Sequence, residues 1–182
     1  LPIAITVIFF TADILKAWTH NPLLVSNTTN LTRVLIAGTA LNCLMHLPYH
    51  LMLSKGITKF TIYQNILATI VAVPLLFFLT KEFGAIGASF VWFFVNLSYV
   101  MISIPLVHNL ILPGETFKWY IHDTIIPLLT SVVILGFCKL IFINFEAQHH
   151  INIILKIIII AFFCLLTISL NIPNQIKRLI FK

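Results

Sequence analysis

Six nearly continuous apolar runs follow one another along 182 residues, and a chain with that pattern has few ways to fold. The first is short and ends near Trp18. It is followed by Leu31–Leu53, Ile62–Leu79, Ala85–Val107, Thr124–Ile143 and Ile151–Ile172. Each complete run is close to the roughly 20 residues a helix needs to cross a hydrocarbon core at about 1.5 Å per residue. Strands of a membrane barrel would be about ten residues long and alternate apolar with polar. These runs do not alternate. Only 9% of the residues are charged and 60% are hydrophobic, whereas about a quarter of an ordinary soluble domain is charged. So little charge cannot cover a water-exposed surface of ordinary size. The expected fold class is an all-α integral membrane protein, a polytopic helical bundle.

The short connections give the expected topology. Ser54–Thr61 carries Lys55 and Lys59, His108–Asp123 carries Lys118, and the tail carries Lys177, Arg178 and Lys182. The connections on the other side, His20–Asn30, Thr80–Gly84 and Asn144–His150, offer only Lys81. The positive-inside rule then puts the first set and the C-terminus in the cytoplasm. Counting Lys16, Arg33, Lys139 and Lys156 on the outer side narrows the margin. Leu1 opens the chain without Met or a basic region before the apolar run, unlike a signal peptide. We read residues 1–18 as the end of a transmembrane helix that begins upstream. Three core spans at 31–107, a cytoplasmic linker at 108–123, two C-terminal spans at 124–172 and a basic cytoplasmic tail at 173–182 complete the expected organisation.

The net charge of +6 comes from 11 Lys+Arg against 5 Asp+Glu. The basic residues stand singly between apolar runs, not in a cluster interleaved with aromatics, so no nucleic-acid partner is expected. Membrane lipid is the expected neighbour. Cys43, Cys138 and Cys164 all lie inside apolar runs without metal-ligand spacing and read as buried small hydrophobes. His149–His150 lacks partner ligands, so no metal and no cofactor is expected. Catalytic residues are not expected either. The five carboxylates, Asp13, Glu82, Glu115, Asp123 and Glu146, fall near span ends or in connections, and no hydrolase, nucleotide-binding or metalloenzyme motif is present.

Polar side chains inside a span are costly and face the bundle or a wet cavity. In Leu31–Leu53, the residues Thr39, Asn42, His46, Tyr49 and His50 share a face at steps of three and four, and Pro48 should bend the helix. The next run carries Thr61, Asn65, Ala68, Thr69 and Ala72, with Pro74 beyond. The third carries Ser89, Asn96 and Ser103 at steps of seven, with Tyr99 close by. Small and polar residues are also how membrane helices touch one another, and for Ala, Ser and Thr that reading is preferred. Asn42, His46, Tyr49, Asn65 and Asn96 are the candidate substrate path. Arg33 is a candidate phosphate contact, weighed against snorkelling to the interface.

The string GTALNCLMHLPYHLMLSKGITKF at Gly38–Phe60, the following helix with Asn65 and Pro74, and GAIGASFVWFFVNL at Gly84–Leu97 together resemble a known pattern. They are similar to the polysaccharide-export (O-antigen type) flippases of the multidrug/oligosaccharidyl-lipid/polysaccharide flippase superfamily. LPGETFKWYIHDTIIPL at Leu112–Leu128 also resembles a linker found in some of those bacterial proteins. The resemblance covers roughly Ala12 to Leu128. It implies two bundles of six helices around a cavity, with this chain as the second-lobe portion of the flippase fold plus two added helices. It further implies transport of an undecaprenyl-diphosphate-linked oligosaccharide across the cell inner membrane for polysaccharide (lipopolysaccharide) biosynthesis, with no enzymatic step. The implied partners are that lipid-linked oligosaccharide, the N-terminal half of the same protein and other polysaccharide-assembly proteins. Two alternatives stay open: a drug or cation antiporter of the same superfamily, and a membrane-bound glycosyltransferase or polymerase.

Overall fold

The computed structural model of the chain describes residues 1–142 together with 158, 159, 161 and 162. Every regular element among them is helical. The elements are α1 (Pro2–Phe9), α2 (Thr11–Thr19), α3 (Pro22–Ser54), α4 (Thr58–Phe83), α5 (Ala85–Ser98), α6 (Ile104–Ile111), α7 (Thr116–Lys118) and α8 (Ile126–Phe142). Widened π-helical turns at Tyr99–Ser103 and Trp119–Ile125 join α5 to α6 and α7 to α8. Among the described residues, four continuous helices are long and apolar enough to cross a membrane: Pro22–Ser54, Thr58–Phe83, Ala85–Ile111 and Thr116–Phe137. The expected last span, 151–172, and the basic tail lie outside the described residues apart from the four positions named above.

Two compact units are formed, one from Leu1–Val25 with the chain from Ile121 onward, the other from Ser26–Tyr120. In the first unit the expected single helix over residues 1–18 is broken: α1 and α2 meet at 69°. The carbonyls freed at the break find other donors, as buried carbonyls must. Thr11 Oγ1 donates to the carbonyls of Val7 (2.6 Å) and Ile8 (3.0 Å), and Lys139 Nζ on α8 donates to that of Phe9 (3.3 Å). Ile5, Phe10 and Leu135 form the core there, with Phe9, Ile14 and Val132 packed around it.

Helix α3 begins at Pro22, in the last residues of the first unit and well before the apolar run at Leu31, and continues as the first helix of the second unit. Asn21 supplies the cap, its Oδ1 accepting from the N–H groups of Leu23 (3.0 Å) and Leu24 (3.3 Å), and proline suits the first helical turn. The polar connection expected at His20–Asn30 is thus mostly helix, and α3 runs on past Pro48 to Ser54. The expected linker at 108–123 is also mostly helical. The third span continues to Ile111, and only Leu112–Glu115 separate it from α7. His108 belongs to that span, buried with its ring edge-on to Trp119 at 5.5 Å between centroids. Met45 and Met52 of α3 pack against Val100, Ile104 and Val107 to form the core of this unit.

The π-helical turn at Tyr99–Ser103 follows from Pro105. The N–H of Ile104 bonds the carbonyl of Tyr99, five residues back, so the carbonyl of Val100 loses its usual donor. In this wider register its donor would be residue 105, and proline has no N–H. The Tyr120 hydroxyl fills the vacancy by donating to the Val100 carbonyl. Tyr120→Phe is therefore expected to leave a buried carbonyl unpaired and to cost about 1–3 kcal/mol. Thermal unfolding of the detergent-solubilised protein measures this. A variant as stable as the parent would remove Tyr120 as the cap of the widened turn.

Candidate functional site

A cavity of about 170 Å³ opens in the second unit. From α3 it takes Asn42, Met45, His46 and Tyr49, which share a face at steps of three and four. From the first two turns of α4 it takes Thr61, Gln64 and Asn65, and from the start of the widened turn it takes Tyr99. The short turn between α3 and α4, Lys55–Ile57, brings the end of one helix beside the start of the other. The widened turn begins at Tyr99, where it borders the cavity; within a membrane, irregular backbone is tolerated where it is buried in protein or lines a cavity.

Every lining residue except Met45 carries a hydrogen-bonding group, and none is Asp, Glu, Lys or Arg. The Tyr99 hydroxyl donates to Asn65 Oδ1 at 3.4 Å. Thr61 is 8% exposed, and its Oγ1 is buried without a hydrogen-bond partner; Gln64 Oε1 is likewise buried and unpartnered. His46 and Asn65 are exposed and form the rim.

Four of the five expected path residues, Asn42, His46, Tyr49 and Asn65, thus come together around one cavity. Asn96 does not line it. That side chain is fully buried: its Oδ1 accepts from Asn42 Nδ2 at 2.7 Å, and its Nδ2 donates to the Trp92 carbonyl at 2.8 Å. One turn along, Trp92 Nε1 donates to Thr39 Oγ1 at 3.3 Å. These bonds tie α3 to α5. Ser89 and Ser103, on the same line as Asn96, are buried as well. Arg33 lies on α3 more than two turns before Asn42 and is not part of the lining.

Gln64 was not singled out from the sequence. Its signal was its place in the series Thr61, Gln64, Ala68, Ala72, Leu75 and Leu79, at steps of three and four, which marks the less exposed face of α4. The stripe read through Asn65 and Thr69 is rotated from this face by part of a turn. Among the described residues, no three His, Cys, Asp or Glu side chains come together to hold a metal ion. The cavity offers hydrogen-bond donors and acceptors from Asn, Gln, Thr, Tyr and His side chains. Neither a family model, a curated protein nor a solved structure matches the chain.

Proposed function

We propose that this chain is part of a flippase of the polysaccharide-export type, moving an undecaprenyl-diphosphate-linked oligosaccharide across a bacterial inner membrane. The observation that carries the proposal is a hydrogen-bonding cavity without Asp, Glu, Lys or Arg, set among helices of membrane-crossing length. A sugar chain needs such groups along its route, and the lipid tail needs apolar surface beside them. Helix α4 supplies that surface next to the cavity: Leu67, Ile70 and Phe77 are 66%, 63% and 77% exposed. In water such a face would be a large unfavourable patch, whereas in a bilayer it meets acyl chains. The reading places the C-terminus in the cytoplasm, with the N-terminal half of the protein and other polysaccharide-assembly proteins as partners.

An antiporter of the same superfamily is the second reading. The observation in its favour is Asp13, half-buried in the first turn of α2 directly after the 69° break. Carboxylates beside broken membrane helices are where coupling ions bind. Deletion of the gene separates the two readings. A flippase deletion accumulates the lipid-linked repeat unit on the cytoplasmic face and depletes surface polysaccharide, and a reporter fused after Lys182 reads as cytoplasmic. Normal surface polysaccharide with new drug or cation sensitivity would replace the flippase by the antiporter. A periplasmic signal from the fusion would reverse the orientation.

A further inference from the structure

We propose that the cavity holds one neutral, hydroxyl- or amide-bearing six-membered ring, a single sugar unit of the cargo, with Thr61 Oγ1 and Gln64 Oε1 accepting its hydrogen bonds. This rests on the flippase reading and names which part of the substrate the site takes.

Three observations lead there. The first is size. An engineered protein cavity of about 150 Å³ holds one benzene ring, and this one measures about 170 Å³. It is large enough for one saturated ring and too small for an oligosaccharide. The second is the unpaired lining. A buried oxygen without a donor costs roughly 1–3 kcal/mol, and two such oxygens, each closed off from the open cavity in this conformation, stand on one face of α4, at residues 61 and 64, where a side-chain rotation brings them to a ligand. Gln64 Oε1 is an acceptor only, so its complement is a group that donates. Sugar hydroxyls and N-acetyl N–H groups donate, but a fully ionised diphosphate has only acceptors. The third is charge. No Lys or Arg lines the cavity and its one histidine, His46, stands at the rim, so an anion placed inside would meet no permanent countercharge while losing its hydration.

The neighbouring side chains complete the fit. Asn42 has its Nδ2 committed to Asn96, which fixes the amide and leaves Asn42 Oδ1 oriented by a rigid partner. Tyr49 and Tyr99 present aromatic rings at the same cavity, and Asn65 and His46 stand at its rim. Flat aromatic surface beside fixed amides is a combination that receives the apolar face and the hydroxyl edge of a pyranose at once. Lys55 and Lys59, around the α3–α4 turn, lie outside the lining. A diphosphate would find its charges there or elsewhere, not in the cavity.

The test uses the full-length protein in nanodiscs, with its native cysteines replaced and Asn65→Cys as a reporter at the rim. A water-soluble maleimide labels that cysteine, and the rate is measured with methyl glycosides of glucose or N-acetylglucosamine, or with inorganic pyrophosphate. The expected result is that at least one glycoside slows labelling severalfold and pyrophosphate does not. Thr61→Val and Gln64→Met, which keep shape and remove the acceptors, abolish the protection, while Thr61→Ser retains it. Unprotected labelling rates and melting temperatures of the variants show that each is folded. Protection by pyrophosphate alone, protection that survives both acceptor-removing variants, or a rim cysteine that never labels would each overturn the proposal. Accumulation of the lipid-linked repeat unit on gene deletion, together with absent glycoside protection, would sink the sugar site and keep the flippase. Glycoside protection with normal surface polysaccharide would do the reverse.

Discussion

Gly87→Ala is expected to deplete the folded protein from the membrane, although it adds a single methyl group. Helices α4 and α5 are joined through Gly84 alone, so they fold back on each other at once. At Gly87 an added Cβ would lie 2.1 Å from the carbonyl oxygen of Leu79 and 2.6 Å from its carbonyl carbon. Those are backbone atoms and cannot swing aside as a side-chain end could. The two helices would have to separate, losing the packing that holds membrane helices together. Overpacking typically costs about 1–3 kcal/mol, and a backbone collision belongs at or above the top of that range. Gly84 differs in kind. It sits at φ +62° and ψ −145°, where only glycine is comfortable, but a Cβ there meets nothing within 4 Å. Gly84→Ala should therefore cost strain of about 1–3 kcal/mol without a clash. Gly136→Ala, on α8 with open space around it and ordinary helical backbone, serves as the control and should be tolerated. Membrane abundance and melting temperature in detergent rank the three. If Gly87→Ala matches Gly136→Ala in both, the close approach of α4 and α5 is not a feature of the protein.

Asn96→Ala and Asn65→Ala should fail in opposite ways, although both remove an asparagine from the same unit. Asn96 is fully buried and makes two hydrogen bonds, one to Asn42 and one to the Trp92 carbonyl. Interhelical hydrogen bonds in membrane proteins average about 0.6 kcal/mol and reach about 1.7. Truncation also leaves a hole and an unpaired Asn42 amide, so the loss should reach about 2 kcal/mol and appear as reduced abundance. Asn65 is exposed at the cavity rim, with one long bond from Tyr99. Its removal should change stability by less than about 0.5 kcal/mol. On the flippase reading it loses a contact with moving cargo, and export should fall roughly tenfold for about 1.4 kcal/mol. Immunoblots of membrane fractions and quantification of surface polysaccharide measure the two effects separately. Equal loss of abundance in both variants would make Asn65 a packing residue. Intact abundance and intact export after Asn65→Ala would remove it from the path.

The helical, membrane-length character of the described spans was legible residue by residue. Runs of some twenty apolar residues with charges held to the ends leave the backbone no partner in lipid but itself, so they must be helices. The grouping of Asn42, His46 and Tyr49 was also legible, because helical spacing alone puts them on one face. Helix ends were less so. The polar stretch Ser26–Asn30 reads as a connection, yet the Asn21 cap and Pro22 start the helix before it. The break at Phe10 leaves no proline or glycine signature, since its freed carbonyls are met by Thr11 and by Lys139, a residue 130 positions away in sequence from Phe9.

What the sequence by itself determined is that the helices are long and apolar enough to cross a membrane and which face each can offer, because both follow from local composition and a fixed helical period. Which of two neighbouring lining residues is buried and which stands at the rim was decided only by tertiary structure. Gln64 and Asn65 differ by one step around α4, and the rotation of that helix against its neighbours leaves Gln64 Oε1 buried and Asn65 on the rim. Asn96 likewise became a wall rather than a lining because α3 approaches close enough at Gly38, beside Trp92 and Phe93, for Asn42 to reach it. Side-chain direction is local, whereas helix rotation and depth depend on contacts between residues far apart in sequence, and no local pattern encodes them.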